Sequence, residues 1–216
     1  APVMLTIWCV LNGDKYADSD VYILRDMVAR NLDLPHTFRC LSDREVPGVD
    51  CFIPDEQWPG WWSKLLLFRY STGLNLYFDL DVVIVGPLDG LVSERLSMPL
   101  NWAQSGHGGC QSSVMAWGGD YSRIADAFHV EQLEAPERGN CGAYQGLWGD
   151  QELITRTLGS PGGSNIDAMP GVYSYRYHCQ GGPPPGAKVV CFHGEPKPKD
   201  VNEPWVIRSR CTPTAA

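Results

Sequence analysis

Positive charge is in short supply in this chain. Its 17 lysines and arginines face 25 aspartates and glutamates, for a formal net charge of -8. A field of that sign does not draw in a phosphate backbone or an anionic lipid surface by charge alone. A phosphate-bearing ligand would need a metal ion or a few local cations to neutralise it. Long apolar runs are missing too, and none approaches the roughly 20 residues that cross a bilayer. No basic stretch followed by a long apolar core opens the chain, so no export signal is expected. No internal repeat recurs. Eight cysteines are present, but none forms a C-x-x-C pair, which weakens any zinc-ribbon reading. A zinc site from His178-Cys179 and Cys191-Phe192-His193 ranks below the plainer reading, because an irregular Gly/Pro-rich stretch links the two. The plainer reading is reduced thiols in a cytoplasmic protein, with Cys9, Cys40 and Cys191 packed as small hydrophobes in strand-like runs.

What remains is an ordinary globular composition. With 44% hydrophobic and 19% charged residues over 216 positions, the chain can bury a full core as one domain. Met4 to Val10 reads as a first strand, broken by Asn12-Gly13-Asp14. Asp18, Ser19 and Asp20 offer helix caps, and Val21, Leu24, Val28 and Leu32 follow on one helical face. Pro35 closes that unit. Strands are expected over Thr37 to Leu41 and Val49 to Ile53, so the order predicts a parallel crossover unit. An aromatic turn, Trp58-Pro59-Gly60-Trp61-Trp62, leads into a short helix from Ser63. Further strands are expected at Leu100 to Ala103, Ser112 to Trp117 and Val189 to Phe192. Helices are expected at Tyr121 to Phe128 and from Asp150 through Leu158, with a loop over 139–146. The tail from Glu195 should wrap the surface. The expectation is an α/β fold with a mostly parallel sheet flanked by helices.

The most informative segment is an apolar run split by two carboxylates: Leu74-Asn75-Leu76-Tyr77-Phe78, then Asp79-Leu80-Asp81, then Val82-Val83-Ile84-Val85. Carboxylates rarely sit in such a context unless paired or bound to a metal. In extended chain, Asp79 and Asp81 would point the same way with Leu80 facing away. Two like charges aimed at one point suggest a divalent cation at the end of a central strand.

Ligands of open α/β sheets bind at strand ends. Polar residues mark four such ends: Asn12-Gly13-Asp14 with Tyr16, then Asp43, then Asp79 and Asp81, then His193-Gly194. A lone histidine is usually structural, but His193 at a strand end with Lys197 nearby suits a Mn²⁺ site with two carboxylates. Lys197 and Lys64 are either solvated lysines or cations over a diphosphate. Trp58, Trp61 and Trp62 are sugar-stacking surfaces or core. Asp150 is a helix-dipole partner at least. Ser112 and Ser113 face a cleft or tolerate a tight strand start.

Trp61-Trp62-Ser63-Lys64-Leu65, Leu76 to Asp81, Ser112-Ser113-Val114-Met115, Gly149-Asp150-Gln151 and Phe192 to Pro198 occur in one order. That order resembles the GT-A glycosyltransferases, especially the family eight (glycogenin and galactosyltransferase-like) group and its bacterial and phage relatives. The resemblance covers most of the chain, with the domain at 1–198 and 199–216 as a tail. It implies a Rossmann-like GT-A fold and sugar transfer from a nucleoside diphosphate sugar, usually uridine-based, with Mn²⁺ or Mg²⁺. On this chain it places the metal on Asp79, Asp81 and His193. Lys64, Lys197 and Gly194 fall at the diphosphate. Leu11, Asn12 and Tyr16 fall in the loop that holds uracil and ribose, with Asp43 at the neighbouring strand end. Asp150 and Gln151 match the pair beside the donor sugar and reaction centre, and Ser112 and Ser113 lie where sugar and acceptor meet. The chain departs from the pattern in that Gly194 directly follows His193, and Lys197-Pro198 is followed by Lys199.

The resemblance favours retention at the anomeric carbon; an inverting route would need Asp150 or Glu152 as base. Two other functions fit the same residues: a nucleotide-sugar binding protein without transfer, and a metal-dependent phosphohydrolase. The acceptor is open: saccharide, lipid-linked glycan, protein or modified nucleobase.

Overall fold

The computed structural model describes residues 3–102, 109–138 and 140–211. Ala103, Gly139 and the tail residues 212–216, each inside a segment expected above, lie outside them.

The chain opens with β1 (Leu5–Leu11), α1 (Asp18–Asn31), β2 (Thr37–Ser42) and β3 (Asp50–Phe52). β1 and β2 pair in parallel with Cys9 opposite Cys40, and β3 adds in parallel beside β2. Helix α1 caps on Ala17, whose N–H donates to the Asp20 carboxylate at 2.9 Å. Asp18 and Asp20 occupy its first turn, where negative charge offsets the helix dipole. Val21, Leu24, Met27 and Val28 form its buried stripe. A 3₁₀ segment, Gly60–Leu66, then turns into α2 (Leu67–Tyr70). β4 (Leu74–Phe78) pairs in parallel with β1.

The chain then leaves this sheet. Asp79, Leu80 and Asp81 form a turn, and β5 (Val82–Ile84) joins a second sheet. β6 (Ser97–Met98), β7 (Val114–Gly118), α3 (Ser122–Asp126), α4 (Asp150–Leu158) and β8 (Asp167–Ala168) follow. The strand expected from Leu100 falls instead at Ser97–Met98. Pro99 has no N–H to continue the ladder, and Leu100 makes only an isolated bridge to Cys110. The last elements are β9 (Val172–Ser174), α5 (Tyr175–His178), β10 (Val189–Cys191) and α6 (Pro204–Arg210). Within the tail expected to wrap the surface, α6 docks by burying Val206 and by Arg30 donating to the Ser209 carbonyl at 2.7 Å.

The large sheet has the order β3-β2-β1-β4-β7-β6-β8, and the small one β5-β10-β9. Four of the six neighbouring pairs in the large sheet are parallel; β7 runs against both β4 and β6. Strand period two sends alternate side chains to opposite faces. Ile7, Cys9, Leu11, Leu76 and Phe78 enter the layer under α1 and the small sheet. Trp8, Tyr77, Met115 and Trp117 enter the opposite layer, with Trp62, Leu65 and Ile154. Both faces are therefore covered, as a doubly wound sheet requires.

Candidate functional site

Because β1, β2 and β4 are parallel, their C-terminal ends share one edge, and antiparallel β7 starts there. That edge places Asn12 after β1, Asp79 after β4, and Ser112 and Ser113 before β7. Asp79 N–H donates to the Ser113 carbonyl at 2.9 Å, and Phe192 N–H to the Asp81 carbonyl at 3.2 Å, which ties in the end of β10. Over this edge lies a cavity of about 590 Å³. It brings together twelve of the fourteen residues singled out from the sequence: Asn12, Tyr16, Lys64, Asp79, Asp81 and Ser112, and with them Ser113, Asp150, Gln151, His193, Gly194 and Lys197. Leu11 and Asp43 stand outside its lining. Leu11 is buried in the core, and Asp43 accepts from Gly13 N–H and Arg44, at 2.9 Å each.

The two carboxylates reach this cavity from a turn rather than from extended chain, and Leu80 lines it too. Each holds a lysine. Lys64 Nζ donates to Asp79 Oδ1 at 3.0 Å and to Ser112 Oγ at 3.2 Å, and lies 3.6 Å from Asp150 Oδ2. Lys197 Nζ donates to Asp81 Oδ2 at 2.7 Å, and Tyr16 OH donates to the same oxygen at 3.0 Å. Tyr77 OH donates to Asp79 Oδ1.

Burial works against the charged form of Asp79, but Lys64, Tyr77 and Ser113 outweigh it and hold the carboxyl below its ordinary range. Asp81 goes the other way: burial and the neighbouring charge of Asp79 raise it despite Lys197 and Tyr16. Asp150 is raised by burial against the pull of Lys64 and Ser112. Burial alone would push the Lys64 amine down, and Asp150 and Asp79 together hold it above its usual value. The cavity thus keeps two fixed cations beside three carboxylates whose proton affinities differ.

The expected metal set is only half assembled. Among the described residues no three His, Cys, Asp or Glu side chains form a metal-holding group, and this applies to the zinc alternative as well. His193 Nε2 is hydrogen-bonded to Ser174 Oγ at 2.6 Å, and the ring stacks with Trp102 and Tyr177 at 5.7 Å each. Burial and the cations of Arg176 and Lys197 lower its pKa, which leaves the ring neutral and able to ligate. Asp81 Oδ1 is buried and has no hydrogen-bond partner among the described residues. A buried carboxylate oxygen left without a donor, next to a second carboxylate, fits a hard divalent cation.

Of the three tryptophans in the aromatic turn, Trp58 and Trp62 are core, and Trp61 lines the cavity together with Gly60. Sequence reasoning passed over Tyr77, Lys15 and Trp148, which line it as well; Glu152, the alternative base of an inverting route, is also in the lining. Tyr77 was within reach of the period-two rule, since it stands two residues before Asp79. Trp148 and Glu152 flank the Gly149-Asp150-Gln151 triplet.

No protein-family model and no curated protein sequence matches the chain. Solved structures do. An active-site mutant of LgtC superposes with a TM-score of 0.61 at 13% identity, covering 94% of this chain and 93% of that one. The glycosyltransferase GlyE of Streptococcus pneumoniae TIGR4 gives 0.60 at 12% identity, covering 92% of this chain. WbbM, a bifunctional glycosyltransferase, gives 0.57 at 14% identity, covering 95%. The chain spans 57% of the GlyE chain and 51% of the WbbM chain. A further LgtC structure, at 0.57 and 14% identity, is that of the galactosyltransferase in complex with donor and acceptor sugar analogs. The chain has the fold of the GT-A glycosyltransferases.

Proposed function

We propose that this protein is a glycosyltransferase that takes a sugar from a nucleoside diphosphate sugar, uridine-based by resemblance, and gives it to an acceptor hydroxyl with retention. The observation that carries this reading is the buried, unpartnered Asp81 Oδ1 beside Asp79 in the strand-end cavity, with Lys64 and Lys197 at their side. The solved complex of LgtC with donor and acceptor sugar analogs gives the reading its precedent in the same fold.

Asp79 and Asp81, with His193 as third candidate, would hold Mn²⁺ or Mg²⁺. The ion would supply Lewis-acid stabilisation of the diphosphate leaving group. Lys64 and Lys197 add fixed positive charge in a partly buried cavity, where preformed charge acts more strongly than in water. Asn12 and Tyr16 line the cavity after β1 and would receive the nucleoside, with Gly194 at the diphosphate end. Ser112 and Ser113 would bound the sugar. Gln151, beside Asp150 at the start of α4, would face the reacting carbon. An inverting route needs a carboxylate free to act as base. Glu152 accepts the Trp148 N–H at 3.1 Å, whereas Asp150 Oδ2, 3.6 Å from Lys64 Nζ, has no hydrogen-bond partner among the described residues, so retention is proposed on the resemblance.

The test is a thermal-shift panel of nucleoside diphosphates and their sugars, with and without Mn²⁺. A ligand at 100 times its Kd adds about 2.7 kcal/mol of stability. A metal-dependent shift with uridine nucleotides is the expected result, followed by slow donor hydrolysis to free sugar. Asp79→Asn with Asp81→Asn should abolish both. Absence of a metal-dependent shift with any nucleotide overturns the reading. Release of inorganic phosphate would mark a phosphohydrolase instead.

A further inference from the structure

Among the described residues three lysines line the cavity, Lys15, Lys64 and Lys197. They differ in how many of their donors the protein has already used. An ammonium group has three. Lys64 spends all of them: on Asp79 Oδ1 at 3.0 Å, on Ser112 Oγ at 3.2 Å and on the Ser112 carbonyl at 3.4 Å. It is buried, so it acts on a ligand through its charge and has no N–H left to give. Lys197 spends two, on Asp81 Oδ2 at 2.7 Å and on the Phe192 carbonyl at 3.3 Å. Lys15 makes no hydrogen bond or ion pair among the described residues.

An exposed lysine is ordinarily a solvated one. Lys15 is exposed, but its ammonium lies over the Tyr16 ring, 5.4 Å from the centroid, which keeps it at the cavity. Lys197 Nζ lies 6.0 Å from the centroid of the same ring. Two cations therefore share one ring, and the carboxylate beside it, Asp81, is taken by Lys197 and by Tyr16 OH. Lys15 also stands where the main cavity adjoins a second one of about 290 Å³, since both are lined by Lys15, Tyr16, Leu80, Asp81 and Lys197. Of the other acids around the second cavity, Asp20 accepts the Ala17 N–H at 2.9 Å and Asp200 the Lys197 N–H at 3.2 Å. Glu195 forms no ion pair among the described residues. The junction thus holds an ammonium group with all its donors unspent, beside a second cation. A ligand group with negative charge and several acceptor oxygens matches it.

We propose that Lys15 is a phosphate-binding residue. Its ammonium donates to the non-bridging oxygens of the nucleoside diphosphate, between the nucleoside at Asn12 and Tyr16 and the carboxylates Asp79 and Asp81. This rests on the transferase reading above. The three lysines then divide the work: Lys64 supplies fixed charge, Lys197 charge and one donor, and Lys15 a free arm that leaves the Tyr16 ring for the phosphate. The exposed contact with the ring is weak enough to exchange for a charge-assisted hydrogen bond.

The test is titration calorimetry of uridine and uridine diphosphate on the full chain with Mn²⁺. Lys15→Met keeps the length of the side chain and removes its charge. It should weaken the diphosphate by about fivefold, the size of one ion contact at a partly exposed site, and leave uridine unchanged. Lys15→Arg should restore most of the affinity, and Lys15→Glu should weaken it further. Added NaCl should weaken the diphosphate more steeply in the parent than in Lys15→Met, which has one screened contact fewer. Melting temperatures should not separate the variants from the parent, because no packing is lost at an exposed position. Equal diphosphate affinity of Lys15→Met and the parent overturns the proposal. So does an equal loss for uridine, which would put Lys15 at the base or ribose. A parent that binds no uridine diphosphate instead sinks the uridine-based transferase reading beneath it.

Discussion

Lys197 and Asp81 are 116 positions apart in the chain and meet at 2.7 Å. Their side chains are 12% and 9% exposed, so the pair is close to fully withdrawn from water. It fastens the tail segment after β10 to the turn between β4 and β5, and so joins the large sheet to the small one at the cavity. Removing one partner of such a pair leaves an uncompensated buried charge. Lys197→Met should destabilise the protein by about 3 kcal/mol in urea unfolding at pH 7. Adding Asp81→Asn should return much of that loss, because the orphaned charge goes with it. Additive effects of the two substitutions would mean that the pair has no coupling.

Asp150 and Asp81 should give stability an unusual pH dependence. Burial raises the carboxyl of each above its unfolded value. A carboxyl raised in the native state contributes stability that is complete below the unfolded value, about pH 4, and is lost as pH rises through the folded value. Asp79 is lowered, and its contribution runs the opposite way: it is present above about pH 4 and lost as pH falls through its folded value. Asp150→Asn should therefore raise the melting temperature at pH 7 by about 2–4 °C, the size of a 1 kcal/mol effect in a chain of this length. The gain should shrink towards pH 4, and transfer should be lost. A gain that stays constant from pH 7 to 4 would contradict this account.

The thiols give a test of compartment-independent packing. All eight cysteines are free, and Cys9, Cys40, Cys110, Cys179 and Cys191 are buried. Burial pushes the Cys9 thiol up, with Cys40 adding to it, and Cys110 is pushed up to about 12. A thiol so shifted forms little thiolate and reacts slowly. In a native titration with a disulfide reagent, exposed Cys211 should react first and half-buried Cys51 and Cys141 more slowly. The other five should react only in denaturant. A melting temperature that falls on adding reductant would refute the free-thiol assignment.

How much of this was legible in the sequence depends on the range of the interaction. The β1–α1–β2 unit could be read because its signals are local: an apolar stripe at helical spacing, a proline after it, and β-branched runs. The strand-end residues could be read because a carboxylate inside an apolar run is itself an anomaly. Period two alone could not show that the chain changes sheets at Asp79–Asp81, because Phe78 and Val82 look alike in sequence and differ only in which strands pair with them. The bonds of Lys64 to Asp79 and of His193 to Ser174 lie in the same class. They depend on how distant strands are ordered, not on spacing along the chain. Trp148 was missed because an exposed tryptophan has no sequence signature; only its surroundings distinguish it from the buried Trp62.

Trp62 carries the last prediction. It is fully buried, stacks on Phe128 at 4.9 Å with 16° between the rings, and donates Nε1–H to the Gly142 carbonyl at 3.1 Å. It sits in the Gly60–Leu66 segment between Trp61 and Lys64, so its packing fixes where both neighbours enter the cavity. Trp62→Ala should lower stability by about 3–5 kcal/mol, as for other large-to-small core changes. Trp62→Phe keeps a ring but strands the Gly142 carbonyl, and should lower it by about 1–3 kcal/mol. If the segment positions Lys64 against the diphosphate, nucleotide affinity measured by calorimetry at 15 °C should fall in Trp62→Phe while the fold persists. Unchanged affinity together with lowered stability would show that Asp79, Asp150 and Ser112 hold Lys64 in place without the packing of Trp62.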